Sequence, residues 1–235
     1  VKPEIIVALD FNEEETALNT VKLLLPQTKY FKVGLELFSV SCLEVVRKIR
    51  DLGGKVFLDL KYFDIPNTVC SAVREAIKSG AFMVNVHALG GRELLLRTSE
   101  TVKETAYALG MEKPIVVAVT LLTSMDGSDL SILGIKESAE SFVLKLSELA
   151  KNCGLDGVVC SAREVRKIKE NFGKDFITVV PGIRPSWSQK NDQKRTATPE
   201  FAKESGADYL VIGRPITRSE KPLEVLSKIK KSLLT

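Results

Sequence analysis

The chain has 235 residues, 44% hydrophobic and 27% charged, a globular composition that excludes disordered, collagen-like and membrane-spanning classes. At about 150 residues per domain the length leaves one large domain or two small ones open until the strands are counted, since an α/β barrel uses about 200–250 residues as one. Its 34 basic against 30 acidic side chains leave +4, with the signs interleaved even in the densest basic stretch, 190–195, so the surface reads as solvated and not as nucleic-acid-binding.

In chain order, short β-branched runs alternate with stretches whose apolar residues recur at three- and four-residue spacing. A strand at 5–10 precedes a helix at 13–25, a strand at 30–35 one at 38–52, a strand at 55–60 one at 68–79, and a strand at 82–87 one at 92–108. The second half repeats this, with strands at 115–120, 157–161, 177–180 and 209–213 and helices at 139–152, 162–171, 199–205 and 222–233. Eight βα units predict a single-domain (β/α)8 TIM barrel over residues 1–235. A doubly wound open sheet is the alternative, but no GxGxxG follows the first strand, which reads Val7-Ala8-Leu9-Asp10.

Cys42, Cys70, Cys153 and Cys160 form no CxxC pair and accompany a single histidine, which predicts no zinc site. Reduced thiols of a cytoplasmic protein are expected. The first ten residues run into a strand and not a signal peptide, and no apolar run is long enough for a bilayer.

A barrel carries its active site at the C-terminal ends of its strands. The polar residues there are Asp10, Lys32, Asp59, Lys61, Asp64, His87, Thr120, Thr123, Ser161, Arg184 and Arg214. Strand alternation puts Asp59 and Lys61 on one face and Leu60 on the other. Ion pairs buried for stability alone often return nothing net. Two lysines and three aspartates near one mouth therefore point to a site tuned for proton transfer or charge repulsion. Arg184 and Arg214 follow glycine-containing turns at strand ends, where barrels often bind phosphate. His87 reads as a structural or supporting residue, Ser161 lacks an evident base, and Cys160 reads as core.

The run Asp59-Leu60-Lys61-Tyr62-Phe63-Asp64-Ile65-Pro66-Asn67-Thr68 resembles the signature of the orotidine 5′-monophosphate decarboxylase family, bacterial type. Further matching segments include Phe31-Lys32-Val33-Gly34, Met83-Val84-Asn85-Val86-His87-Ala88, Pro181-Gly182-Ile183-Arg184-Pro185 and Val211-Ile212-Gly213-Arg214-Pro215. DxKxxD alone is shared with magnesium-dependent sugar-phosphate decarboxylases and aldolases; the Ile65-Pro66-Asn67-Thr68 continuation is more specific. Tyr62 and Phe63 depart from the Phe-His pair common in bacterial members.

The resemblance implies conversion of orotidine 5′-monophosphate to UMP and CO2 without metal or organic cofactor, completing UMP synthesis. It implies that Asp59 faces the substrate carboxylate, that Lys61 protonates C6, and that Lys32 joins the charge array. Asp64, with Ile65 and Thr68, is implied to reach the neighbouring site of a homodimer. Asp10 and Lys32 are implied to hold the ribose, and Thr123, with Ser124 beside it, to read the pyrimidine edge. Arg184, Gln193, Gly213 and Arg214 are implied to hold the phosphate, with Trp187 near that end. Closure of the 181–193 loop over the substrate is a further expectation. A non-catalytic nucleotide-binding barrel is the reading from another class, which binding without turnover would favour.

Overall fold

The computed structural model describes residues 2–187 and 196–234. The elements run β1 (Glu4–Ala8), α1 (Glu14–Leu24), β2 (Tyr30–Gly34), α2 (Leu35–Ser41), α3 (Glu44–Asp51), β3 (Lys55–Tyr62), α4 (Pro66–Lys78), β4 (Met83–His87), α5 (Gly91–Ala108), β5 (Ile115–Val119), α6 (Gly127–Ile132), α7 (Ala139–Asn152), β6 (Gly157–Val159), α8 (Ala162–Phe172), β7 (Ile177–Val180), α9 (Pro199–Glu204), β8 (Tyr209–Ile212), α10 (Arg214–Thr217) and α11 (Pro222–Ser232). Each strand pairs in parallel with the next, and β8 returns to β1 through Glu4↔Tyr209 to Val7↔Ile212. The barrel is closed, so no strand edge is left open to another chain.

Alternation along the strands builds two apolar layers. Ile6, Ala8, Phe57, Met83, Val117, Val179 and Val211 point inward and fill the barrel. Their neighbours, among them Val7, Leu58, Val84, Val86 and Leu210, point outward beneath the helices, where Val21, Ile49, Val73, Leu95 and Val165 cover them. Tyr30, Phe82, Ile115, Ile177 and Tyr209 pack against the inner layer from the strand starts and close that end. The opposite end is left for a ligand. Gly157 opens β6 where a Cβ would stand 2.0 Å from the carbonyl oxygen of Ile177, so only glycine admits this β6–β7 approach.

The helix expected over 38–52 is two helices. The chain breaks at Cys42, whose φ of 50° is left-handed, and restarts at Glu44. The short helices α6 and α10 add to the expected set. Among the described residues, no helix is long and apolar enough to cross a membrane. The four cysteines are free thiols, with Cys42 exposed and the others buried.

Candidate active site

The open end of the barrel holds a cavity of about 430 Å³. Ala8, Phe57, Val119, Val159 and Val211 line it together with Asp10, Lys32, Asp59, Lys61, Thr123, Arg184, Gly213 and Arg214. Eight expected site residues are thus brought together from six βα units.

Four of them form a chain of alternating charge. Asp10 Oδ1 accepts from Lys32 Nζ at 2.9 Å; Lys32 Nζ lies 3.5 Å from Asp59 Oδ2; Lys61 Nζ donates to Asp59 Oδ1 at 2.7 Å. The side chains of Lys32 and Asp59 are only 11% and 13% exposed, whereas those of Lys61 and Asp10 are 33% and 47% exposed. The middle of the chain is buried and its ends face the cavity. Burial works against the Lys32 ammonium, but Asp59 and Asp10 together outweigh it and hold its pKa above the ordinary lysine value.

Two backbone features create this array. Gly34 ends β2, and a Cβ there would lie 2.5 Å from Lys32 Nζ, so its missing side chain is the space the ammonium fills. At β3 the pairing with β4 runs Phe57↔Met83 and Leu58↔Val84, then jumps to Tyr62↔Val86. Three residues, Asp59 to Lys61, therefore stand against Asn85 alone. Lys61 sits in this bulge at φ 51°, a conformation that costs a non-glycine residue about 1–3 kcal/mol and persists only where its surroundings enforce it. Asp59 and Lys61 both reach the cavity, as alternation predicts, but the ladder beside them is broken.

Asn85, fully buried, fills that break. Its Oδ1 accepts from the Lys61 backbone N–H at 2.8 Å, and its Nδ2 donates to Asp59 Oδ1 at 2.7 Å. The sequence reading assigned it nothing. The available signal was a lone amide at an inward position of the otherwise apolar run Met83-Val84-Asn85-Val86.

On the far side of the cavity, Arg184 is buried, with Nη1 donating to the Ile183 carbonyl at 3.1 Å. Arg214 opens α10 directly after Gly213. Arg218, at the end of that turn, also lines the cavity and was not anticipated. Two helix-turn cations and a buried guanidinium suit a phosphate.

Asp64, Ile65 and Thr68 are exposed and do not line this cavity. Asp64 Oδ1 accepts from the N–H of Ile65 at 2.6 Å. Ser124 is exposed, Trp187 stacks on the Lys228 ammonium at 3.8 Å, and Gln193 lies outside the described residues.

Several polar strand ends are structural. Thr120 donates to the Val159 carbonyl. Ser161 caps α8 in a reciprocal capping box with Glu164. His87 accepts from the Leu89 N–H through Nδ1 and stacks on Phe63. Burial, and then the Lys61 charge, hold its pKa below the ordinary histidine value. Cys160 is buried, as expected of a core residue, yet it borders the cavity.

Fold and site together define a (β/α)8-barrel protein with an alternating lysine–aspartate array facing a cationic subsite across the barrel mouth. The chain belongs to the orotidine 5′-phosphate decarboxylase / HUMPS family, whose model it matches over residues 3–229. It is 46% identical to the orotidine 5′-phosphate decarboxylase of Pseudoalteromonas translucida over 98% of this chain and 97% of that one. It is 48% identical to that of Nitrosomonas eutropha over 98% and 97%. Its structure resembles the crystal structure of orotidine 5′-phosphate decarboxylase from Lactobacillus acidophilus, with a TM-score of 0.84 and 39% identity over 100% of both chains.

Proposed function

We propose that residues 1–235 form one decarboxylase domain that converts orotidine 5′-monophosphate to UMP and CO2, the last step of UMP synthesis, in the cytoplasm and without metal or organic cofactor. The observation that carries this reading is the chain Asp10–Lys32–Asp59–Lys61, in which each carboxylate meets an ammonium and the terminal lysine faces the cavity. The curated relatives' shared name gives the substrate.

In this reading the phosphate lies toward Arg184, Gly213, Arg214 and Gln193, the ribose toward Asp10 and Lys32, and the pyrimidine edge toward Thr123. The substrate carboxylate then meets Asp59. Two like charges about 4 Å apart repel by about 4 kcal/mol at an effective dielectric of 20. The C6–carboxylate bond breaks with its electron pair left on C6, and CO2 departs uncharged. The repulsion vanishes in the same step, so it favours the transition state over the bound substrate. The Lys61 ammonium stabilises the negative carbon and transfers its proton from Nζ to C6, giving UMP; the amine regains a proton from water.

Asp64 is exposed and accepts from the Ile65 N–H, and Ile65 and Phe63 beside it are 66% and 60% exposed. This supports a homodimer in which Asp64, Ile65 and Thr68 complete the neighbouring site. Phosphate binding would draw the 181–193 segment over the substrate, using remote binding energy on the reaction.

The test is CO2 release from orotidine 5′-monophosphate in EDTA, by the unsubstituted protein and by Lys61→Ala. Release that survives the chelator and falls by about 1,000-fold or more in K61A is expected, since K61A removes both the electrostatic partner and the proton donor. Release abolished by EDTA overturns the metal-free reading; no release from folded protein overturns the substrate and favours a magnesium-dependent sugar-phosphate reaction.

A further inference from the structure

We propose that Asn85 is a positioning residue, whose amide spans the gap in the β3–β4 ladder and locks the Asp59 carboxylate and the Lys61 backbone into one rigid unit. The inference rests on the decarboxylase reading for its kinetic consequences, but its structural content stands apart from it.

The bulge leaves the Lys61 N–H without a strand partner on β4, because the pairing skips from Leu58↔Val84 to Tyr62↔Val86. A buried N–H is costly to leave unsatisfied. The Asn85 side chain supplies the missing acceptor at 2.8 Å. Its orientation follows from chemistry: the oxygen must face the N–H and the NH2 must face the carboxylate. The same amide therefore donates to Asp59 Oδ1 at 2.7 Å, the very oxygen that accepts from Lys61 Nζ at 2.7 Å. Asp59 is thus fixed between a mobile ammonium and an immobile amide on the adjacent strand. When Lys61 gives up its proton, the amide still holds the carboxylate in place. Asn85 does not line the cavity, so it acts through Asp59 and Lys61 and not on substrate.

Two substitutions separate positioning from bulk packing. Asn85→Ala removes both bonds. Asn85→Asp keeps the shape and the acceptor but exchanges the donor for an ionisable oxygen. The titratable groups on the strands around it are Asp59 and Lys61 on β3, His87 on β4 and Lys32 on β2; the facing residue on β5, Val117, is apolar. Burial and the adjacent Asp59 carboxylate raise the pKa of the new carboxyl. Protonated, it donates to Asp59 and reproduces the amide; ionised, it repels Asp59.

The expected result is a kcat about 100-fold lower in N85A, with KM changed less than about threefold, as displacement of reacting groups by about 1 Å produces. In N85D, the ratio of its kcat to that of the unsubstituted enzyme rises as pH is lowered. Amide exchange at Lys61 accelerates in N85A. It stays slow in N85D at pH values where that variant regains activity. An unchanged kcat in N85A, or an N85D-to-unsubstituted ratio flat with pH, overturns the proposal. If N85A does not fold, the isosteric N85D decides. If the unsubstituted protein shows no turnover, the decarboxylase reading alone fails, and Lys61 amide exchange in the two variants decides the role of Asn85.

Discussion

Gly34 acts on the site through what it lacks. Its φ of −101° and ψ of −174° are open to any residue, so the backbone does not require glycine there. The Lys32 ammonium does, because a Cβ would meet it at 2.5 Å. In Gly34→Ala the lysine must swing away, leaving Asp10 and Asp59 without their shared cation. The expected outcome is a loss of about 10- to 100-fold in kcat/KM, with unfolding free energy within about 1 kcal/mol of the unsubstituted protein, since alanine also restricts the unfolded chain. Steady-state kinetics and urea unfolding on the same samples check it. An equal loss of stability and activity would mean that the methyl group disturbs β2 and not the lysine.

Elements were the most legible level, and their irregularities the least. All eight strands lie within two residues of their expected bounds at either end, because β-branched runs bounded by polar turns are a local signal. The break at Cys42 was hidden because apolar residues such as Phe38, Val45, Val46 and Ile49 keep helical spacing across it, with no Gly or Pro to mark the turn. The β3 bulge was hidden for a similar reason: side-chain alternation continues through Asp59, Leu60 and Lys61 while the pairing with β4 does not. Pairing is a non-local property, and so is the role of Asn85, which appears only once β4 lies beside β3. Ser161 shows the converse case, where a residue at an active-site strand end has a local duty. Its hydroxyl accepts from the Arg163 N–H at 3.2 Å and its own N–H donates to Glu164 at 2.7 Å. Ser161→Ala should cost about 1 kcal/mol as a lost N-cap, lowering Tm by about 2–4 °C for a chain of this size, with kcat unchanged. Calorimetry and turnover together check this; a fall in kcat without a fall in Tm would give Ser161 a part in the chemistry.

At the scale of the whole molecule, the count of βα units was enough to anticipate the barrel, and the barrel then dictated which end carries the chemistry. Assembly is a separate matter, because an isolated chain places Asp64 on its surface. The exposed apolar residues Phe63 and Ile65 flank that carboxylate after β3, and Leu89 is exposed after β4, which suits a face covered by a second copy. If Asp64 serves the neighbouring site, the two defects K61A and D64A fall in the same site of a mixed dimer. One site then carries both substitutions and the other carries neither. Each variant alone should be nearly inactive. After subunit exchange, random pairing makes half the dimers mixed, so about a quarter of all sites are native and about a quarter of the unsubstituted activity should return. Activity of the mixture against time, with exchange followed by labelled subunits, makes the measurement. With both variants inactive, full exchange without recovery would place Asp64 in its own chain's site, and a D64A variant that stays active would place it outside the chemistry; either result would mean that this barrel does not need a pair.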